Sequence, residues 1–270
     1  MFNNIVIKFN KVYSRGVFYS VKIELYKVLY DEKYSKSHTR KYAEKILKFL
    51  AEKTNFNQPK FILKTLDVNT ISFAQLKQDL FVLSMLNSRT GGFFVEVGAG
   101  DGINFSNSYL LEKDYSWNGI LIEPNKTFYE SCLARRKCKV LNRILLDTPV
   151  KKVKFYEKEI GEFSHTEGFG DANASEIKSN YFVETIKFDE MFRTSGASID
   201  FLSIDTEGSE LEILNSINML KYRPTIICIE HNYDKKKRIY FKKYLLTNGY
   251  RLMYPGISRW DSWFMLKSHA

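Results

Sequence analysis

The feature that most constrains the fold of this chain is a strand-like segment that breaks into a loop with glycine at every second position. The segment runs from Phe93 to Gly102 and reads FFVEVGAGDG. Aromatic and β-branched residues are typical of a strand that is covered on both faces. Glycines allow the backbone to turn sharply and to approach a ligand closely. The pattern predicts a strand of an α/β sheet with a ligand-binding loop at its carboxyl end.

Carboxylates around this loop indicate which cofactor it binds. Glu96 lies inside the strand, and a buried carboxylate needs donors, which a ligand with hydroxyls or an ammonium would supply. Glu123 ends the next strand, where ligands of open α/β sheets bind, and it suits a ribose diol. A dinucleotide loop would read G-x-G-x-x-G, whereas this loop places Asp101 between Gly100 and Gly102. A strand-end acid is shared with NAD sites, but the acidic loop disfavours phosphate and favours S-adenosylmethionine.

Six segments of the chain match, in the same order, the motifs of one enzyme family. They are residues 72–81 (SFAQLKQDLF), 94–99 (FVEVGA), 106–112 (SNSYLLE), 119–124 (GILIEP), 199–210 (IDFLSIDTEGSE) and 229–232 (IEHN). Together they resemble the FkbM-type methyltransferases, S-adenosylmethionine-dependent O-methyltransferases of small molecules and glycans with the class I Rossmann-like fold. The resemblance implies O-methylation but does not identify the acceptor. We expect a hydroxyl of a sugar in a glycan, glycolipid or polysaccharide precursor, and lipid and peptide hydroxyls stay open.

The order of the predicted elements agrees with a doubly wound, mostly parallel α/β sheet. We expect strands at residues 140–146, 153–156, 181–188, 199–204 and 225–229, helices at 208–218 and 235–247, and a last antiparallel pair at 250–254 and 263–266. Such a pair is expected of methyltransferases and is absent from typical dinucleotide folds. Residues 161–180 are polar and aperiodic, which predicts a loop over the acceptor that carries a solvated His165.

Charge divides the chain into two predicted parts. Residues 1–60 carry 13 Lys and Arg against 5 Asp and Glu, whereas the remainder carries 28 against 26. Apolar residues recur at helical spacing in residues 18–29 and 43–50, with cations between them. The sequence therefore predicts a basic, largely helical N-terminal extension at residues 1–70 and an FkbM-type methyltransferase domain at residues 71–270.

Three interpretations of this extension are open. Its helices pack on the catalytic domain or on a second subunit of a homo-oligomer, or they contact anionic lipid or a polyanionic acceptor. Nucleic acid is the least expected partner, because no aromatic-basic RNA motif or zinc module is present. No stretch approaches the roughly 20 apolar residues of a membrane-spanning helix, and no secretory signal is recognisable. Three cysteines match no zinc pattern, so we expect a cytoplasmic protein with reduced thiols, peripheral at the membrane under the second interpretation.

The glycine loop, the strand ends and the resemblance together predict the cofactor site. Its expected residues are Glu96, Gly98, Ala99, Gly100, Asp101, Gly102, Asn107, Glu123, Pro124, Asn142, Arg143 and Asp205. Asn142 and Arg143 are expected near the adenine edge, and Asp205 is expected on the sulfonium side.

The catalytic residues are expected where two neighbouring strands end in Asp205 and in Glu230-His231-Asn232. Two mechanisms are open. In one, Asp205, Glu230 and Asn232 hold a divalent cation such as Mg²⁺, which lowers the pKa of an acceptor hydroxyl. In the other, His231 is held by Asp205 or Glu230 and removes the hydroxyl proton without a metal.

Two other functions compete with methyl transfer. A non-catalytic Rossmann-like binding protein would keep the pocket and dock through its basic extension, but it would tolerate the loss of Asp205 or Glu230. An NAD-dependent oxidoreductase is disfavoured by the glycine spacing and would lack the terminal antiparallel pair. Glu207 and Glu210 are expected only to complement the dipole of the helix that follows them.

Overall fold

The structure is a computed structural model that describes residues 71–170, 175–192, 198–255 and 258–267. The chain divides into two units, residues 1–70 and 71–270, and every described residue belongs to the second. The predicted helices at residues 18–29 and 43–50 lie outside the described residues. The roles expected of the basic extension therefore stay predictions.

The described part of the chain alternates strands and helices. The strands are β1 (Phe93–Val97), β2 (Asn118–Ile122), β3 (Lys139–Leu141), β4 (Ile144–Leu145), β5 (Lys152–Lys158), β6 (His165–Thr166), β7 (Ile177–Ile186), β8 (Phe201–Ile204), β9 (Ile226–Glu230), β10 (Tyr250–Met253) and β11 (Asp261–Leu266). The helices are α1 (Gln78–Met85), α2 (Tyr109–Tyr115), α3 (Lys126–Arg135), α4 (Phe188–Met191), α5 (Glu210–Ser216) and α6 (Lys235–Thr247), with a 3₁₀ helix at Gly161–Phe163.

Seven strands form the central sheet in the order β10-β11-β9-β8-β1-β2-β3. The strands β3, β2, β1, β8 and β9 are parallel, and β11 runs antiparallel to both β9 and β10. This order, with one antiparallel strand inserted next to the last parallel one, is that of class I methyltransferases. The predicted doubly wound sheet and its terminal antiparallel pair are confirmed.

The central strands are apolar because helices cover both faces of the sheet. β8 and β9 are buried along their whole length, and β1 is buried after its first residue. Val95, Ile120, Leu202, Ile227 and Phe264 belong to one core cluster that also takes in side chains from α4, α5 and α6. The apolar runs of the sequence therefore become the centre of the sheet, and their polar ends gather at one edge.

A smaller sheet with the order β4-β7-β5-β6 corrects two predictions. The strand expected at residues 140–146 is split into β3 and β4, which belong to different sheets. The loop expected at residues 161–180 instead contains the 3₁₀ helix, β6 and the start of β7. Residues alternate between exposed and covered along β7, as in a sheet with one wet face. Residues 177–180 at the start of β7 look like a loop in the sequence because the exposed face of this strand carries many polar residues.

This sheet also corrects the prediction for His165. The sequence predicted a solvated loop histidine, but His165 is buried in β6 and its ring centroid lies 5.6 Å from that of Tyr156. Gly170 covers the ring closely, since a Cβ at that position would lie 2.3 Å from the His165 Cγ. Within the described ranges, no helix is long and apolar enough to cross a membrane.

One buried hydrogen bond tests the placement of β10. The Tyr250 hydroxyl is buried and donates to the carbonyl of Pro224 at 2.7 Å. Removing this hydroxyl in Tyr250→Phe leaves a buried carbonyl without that donor, and we expect a loss of about 1–2 kcal/mol in the free energy of unfolding. Tyr240→Phe is the matched control, because its hydroxyl bonds Asn215 at an exposed position. Urea denaturation measures both variants, and equal stability of the two would contradict the assigned packing.

Candidate active site

A cavity of about 580 Å³ lies at the carboxyl ends of the central parallel strands. Its wall includes Gly98 after β1, Glu123 after β2, Asp205 after β8, and Glu230 and Asn232 at the end of β9. The volume lies within the range of small-molecule sites. Ligands of open α/β sheets bind at this edge, and the fold brings most, but not all, of the predicted cofactor and catalytic residues to one cavity.

The glycine loop touches the end of β8 through its backbone. Gly98 has a φ of +80°, and a Cβ there would lie only 1.6 Å from the carbonyl oxygen of Asp205. The Asp205 amide donates to the carbonyl of Val97 at 3.0 Å. Gly100 also has a positive φ, of +55°, but a Cβ there would meet no atom within 4 Å. Glycine at position 98 therefore lets the ends of β1 and β8 touch. The missing side chain of Gly100 instead leaves open space beside the cavity.

Glu96 is the clearest correction among the predicted cofactor residues. It is not part of the cavity wall, and its carboxylate is only 2% exposed. It accepts hydrogen bonds from the Ser106 hydroxyl at 3.0 Å, the Asn107 amide at 2.7 Å and the Ser108 hydroxyl at 2.5 Å. The donors that a ligand was expected to supply come from the turn before α2. Glu96 thus holds this turn against β1.

Arg136 completes the network around Glu96. Its guanidinium is fully buried, lies 4.0 Å from Glu96 and pairs with Glu112 at 2.9 Å. It also donates to the carbonyl of Gly102 and to the hydroxyl of Ser108. Burial raises the pKa of Glu96, and the charge of Arg136 opposes that shift. The network is a structural support beneath the glycine loop.

Removing the Glu96 carboxylate tests this structural assignment. In Glu96→Ala three buried donors lose their acceptor, so we expect the free energy of unfolding to fall by about 3 kcal/mol. Thermal and urea denaturation measure the change, with exposed Glu130→Ala on α3 as the control. An unchanged stability with a large loss of cofactor affinity would instead support the original cofactor assignment.

Glu123 lies on the cavity wall as predicted. Its two carboxylate oxygens accept from the amides of Gly100 and Asn125, both at 2.8 Å. Burial raises the pKa of Glu123 to about 8. Asn142 donates to the carbonyls of Glu123 and Pro124 at 2.9 and 3.0 Å. Asn142 therefore braces the strand tip from behind instead of contacting the cavity.

The predicted cofactor residues divide into those that lie on the cavity wall and those that do not. Those on the wall are Gly98, Ala99, Gly100, Asp101, Asn107, Glu123, Pro124, Arg143 and Asp205, whereas Glu96, Gly102 and Asn142 are not. A Cβ on Gly102 would lie 2.8 Å from the sulfur of Cys132, so this glycine allows α3 to pack closely. Asn107 donates to the Ser203 hydroxyl at 2.8 Å, and its Oδ1 is buried without a partner among the described residues.

Three carboxylates converge on the opposite part of the wall. Asp205, Glu207 and Glu230 each offer an oxygen, and these oxygens all lie within 4.8 Å of one another. We call this group the carboxylate cluster. Glu207 was expected only to complement a helix dipole. Its own φ of +55° instead turns the chain so that Glu207 lines the cavity. Asn232, which follows Glu230 by two residues in the sequence, also lines the cavity.

The turn that carries Glu207 is shaped by Glu210. This carboxylate is fully buried and accepts from the amides of Thr206 and Gly208 at 3.0 and 2.8 Å. Lys237 of α6 donates to its other oxygen at 2.6 Å and to the Gly208 carbonyl at 3.0 Å. A buried carboxylate with these partners fixes the backbone around Glu207. Glu210 does more than the dipole role expected of it, but it remains structural.

Burial and mutual repulsion raise the pKa values of the carboxylate cluster. Burial first, and then the charge of Glu230, raise the pKa of Asp205 well above its usual range. Burial and the charge of Glu210 raise the pKa of Glu207 to about 7. Burial and the charge of Glu207 raise the pKa of Glu230 to about 8, although a hydrogen bond with Asp205 opposes this shift. The cluster therefore retains protons at neutral pH.

His231 lies beside this cluster in the sequence but not in the cavity wall. Its side chain is buried, and its Nδ1 accepts from the amide of Tyr233 at 3.1 Å. Burial lowers the pKa of His231, so the ring is neutral at pH 7. The geometry argues against the predicted proton transfer by His231, because its ring supports the turn after β9.

The raised pKa values predict a particular dependence of stability on pH. Between the ordinary carboxyl pKa of about 4.5 and the raised values of Glu207 and Glu230, the folded chain holds protons that the unfolded chain releases. Stability therefore falls as pH rises from about 5 to about 8. Glu207→Gln removes one titrating and repelling group, so its melting temperature should fall less over this range. Exposed Glu130→Gln is the control. If the melting temperatures of Glu207→Gln and wild type fell equally over this range, the assignment of Glu207 to the carboxylate cluster would be contradicted.

Several wall residues were missed in the sequence. Gln75, Phe105, Phe128, Phe163 and Trp260 all line the cavity. Trp260 comes from the turn before β11, and Phe163 comes from the 3₁₀ helix within the segment expected to cover the acceptor. These aromatic residues carry no spacing signal, because each reaches the cavity from a different element or loop of the chain.

Comparison with known proteins identifies the family of this chain. A family model described as the methyltransferase FkbM domain matches residues 96–261. The match covers more than half of the chain and includes the glycine loop, Glu123, the carboxylate cluster and Asn232. The chain therefore belongs to the FkbM methyltransferase family.

Solved structures with a similar fold are only distantly related in sequence. Methyltransferase FkbM from Methylobacillus flagellatus KT is 12% identical with a TM-score of 0.44, and the match covers 84% of this chain and 59% of that one. A METTL16 MTase domain is also 12% identical with a TM-score of 0.43, over 81% of this chain and 90% of that one. This chain thus spans less than two thirds of the first structure. None of the curated proteins compared matches it.

Proposed function

We propose that this protein is an S-adenosylmethionine-dependent O-methyltransferase that acts on a hydroxyl of a sugar in a glycan, glycolipid or polysaccharide precursor. Membership of the FkbM methyltransferase family supports methyl transfer and implies this cofactor. The observation that carries the proposal is that one cavity joins the glycine loop and Glu123 to the carboxylate cluster of Asp205, Glu207 and Glu230. A cofactor subsite and a set of proton-accepting groups therefore share one cavity wall.

The residues of the wall fit the cofactor. Gly100 has open space where a side chain would otherwise lie. Asn107 presents a buried acceptor atom with no partner among the described residues, which suits a donor on the ligand. Glu123 has two oxygens on backbone amides and free lone pairs for ribose hydroxyls. When bound, S-adenosylmethionine supplies a methyl group already activated on its sulfonium sulfur.

Proton removal from the acceptor falls to the carboxylate cluster. Glu230 has a pKa of about 8, so its deprotonated form is a stronger base than an ordinary carboxylate. Its partner Asp205 shares a hydrogen bond with it and holds it at the cavity wall. We assign proton acceptance to Glu230 and its orientation to Asp205, in place of His231.

A divalent cation is the alternative to a shared proton in this cluster. The oxygens of Asp205, Glu207 and Glu230 lie within 4.8 Å of one another, and hard oxygen ligands of this kind suit Mg²⁺. They would hold the ion, and its charge would lower the pKa of the acceptor hydroxyl. Glu207 joins Asp205 and Glu230 as a candidate ligand, and Asn232, the third ligand expected from the sequence, lines the same cavity.

The proposed sugar acceptor fits the remaining wall. Carboxylates accept hydrogen bonds from hydroxyl groups, and the cluster can orient several at once. Trp260 and Phe163 add apolar surface to the same wall. Polar groups that fix orientation within an otherwise apolar wall are typical of small-molecule sites.

Calorimetry tests the cofactor assignment. We expect S-adenosylmethionine to bind the full chain with an affinity in the micromolar range and NAD not to bind. Glu123→Ala should weaken S-adenosylmethionine binding by about tenfold or more, because the ribose hydroxyls lose a buried carboxyl group as their hydrogen-bond partner. Exposed Glu130→Ala should leave the affinity unchanged. Titrations with and without Mg²⁺ show whether the cation contributes, and absence of binding in both would refute the cofactor assignment.

Turnover tests the proton acceptor. Release of S-adenosylhomocysteine is measured with a panel of monosaccharides and disaccharides as candidate acceptors. We expect Glu230→Gln to lower kcat at least about a hundredfold while it leaves S-adenosylmethionine affinity nearly unchanged. In wild type the rate should rise as pH passes through about 8, where Glu230 loses its proton. Normal turnover in Glu230→Gln would refute the assignment of Glu230.

A further inference from the structure

Helix α6 carries an exposed surface of unusual composition. Its sequence is KKKRIYFKKYLLT, which contains six Lys and Arg and no Asp or Glu. Phe241 and Leu245 are buried against the sheet, as one face of a packed helix requires. Most other residues of the helix are exposed to water, and these include two aliphatic side chains, Ile239 and Leu246. The function proposed above uses none of this exposed face.

The two aliphatic side chains lie at the centre of the exposed face. Residues of an α-helix are about 100° apart around its axis, so Ile239 and Leu246 are separated by about 20° and by two turns. Their exposed fractions are 58% and 38%. On this wheel Arg238 and Lys242 lie on one side of the pair, and Lys243 lies on the other. The face has an apolar centre with cations on both sides.

The outward cations of this face make no ion pair within the described ranges, although Lys236 lies within electrostatic range of the N-cap carboxylate of Asp234. Lys237 pairs with Glu210, but that contact lies on the side of the helix that faces α5. The outward cations Lys235, Lys236, Arg238, Lys242 and Lys243 are all exposed. Among the described ion pairs, none involves these five. Their charge is therefore available to a partner.

We propose that the outward face of α6 docks the protein on an anionic lipid surface. A helix with aliphatic side chains between cations is the arrangement that lies in a membrane interface, where the apolar residues enter the acyl boundary and the cations contact anionic headgroups. The five outward cations, on a helix without an acidic residue, supply the charge complementarity. A purely electrostatic partner such as RNA would use the cations but leave Ile239 and Leu246 in water.

The position of the helix connects this surface to the active site. α6 begins three residues after Asn232, which lines the cavity. Tyr233 lies between them, is 67% exposed, and its ring centroid is 6.1 Å from that of Trp260 on the cavity wall. Lys237 holds the turn of Glu207 from the buried side of the same helix. The docking surface therefore adjoins the catalytic end of the sheet.

Vesicle sedimentation of the full chain tests the proposal, which does not rest on the proposed acceptor because no methyl transfer is measured. The charge variant replaces Lys235, Lys242 and Lys243 with Gln, and its control replaces the exposed Lys137, Lys139 and Lys152 with Gln. The apolar variant is Ile239→Gln, with Leu133→Gln on α3 as its control, because Leu133 is similarly exposed at 52%. Glutamine keeps helix propensity, and any contribution of residues 1–70 is common to all variants.

We expect wild type to bind vesicles of phosphatidylcholine with phosphatidylserine more tightly than vesicles of phosphatidylcholine alone. The charge variant should bind the anionic vesicles at least about tenfold more weakly, Ile239→Gln should bind them several-fold more weakly, and both controls should bind like wild type. Equal binding by all variants would overturn the proposal. So would a charge variant that loses affinity for single-stranded RNA while Ile239→Gln leaves vesicle binding unchanged, because the face would then be an electrostatic site for a polyanion.

Discussion

The candidate site depends on the backbone contact between Gly98 and Asp205. A Cβ at position 98 would lie 1.6 Å from the Asp205 carbonyl oxygen, so only glycine lets the ends of β1 and β8 approach this closely. The Asp205 amide donates to Val97 across the same two strands. The contact places the glycine loop beside the first member of the carboxylate cluster. A larger side chain would separate the part of the cavity that suits a cofactor from the part that suits proton transfer.

Around this contact, buried carboxyl groups divide into structural and functional ones according to their partners. Glu96 and Glu210 have strong donors on all sides, and each fixes the backbone of a loop. Asp205, Glu207 and Glu230 have mainly one another, and their pKa values rise. Such repulsion costs stability, and groups strained in this way are typical of active sites. The fold tolerates the cluster because the structural carboxylates hold its loops in place.

The sequence was sufficient to predict the central sheet but not the roles of all the residues at the site. Apolar runs that end in Glu123, Asp205 and Glu230 predicted the strands and their shared edge, because burial and strand ends follow local pattern. The roles of Glu96 and Glu207 depended on contacts between loops far apart in sequence, so the pattern assigned one to the cofactor and the other to a helix dipole. The smaller sheet was predicted only in part for a related reason, because strands were expected at residues 153–156 and 181–188 but a loop at residues 161–180. Its strands have a wet face, and in β7 many polar residues concealed the alternation.

The most direct test of the account is a crystal structure of the full chain with S-adenosylhomocysteine. The account predicts that the ribose hydroxyls bind the Glu123 carboxylate and that the sulfur faces Asp205 and Glu230. It also predicts a ligand atom that donates to the Asn107 Oδ1. A ribose bound away from Glu123, or a sulfur that faces away from the carboxylate cluster, would contradict the assignment of this cavity to methyl transfer.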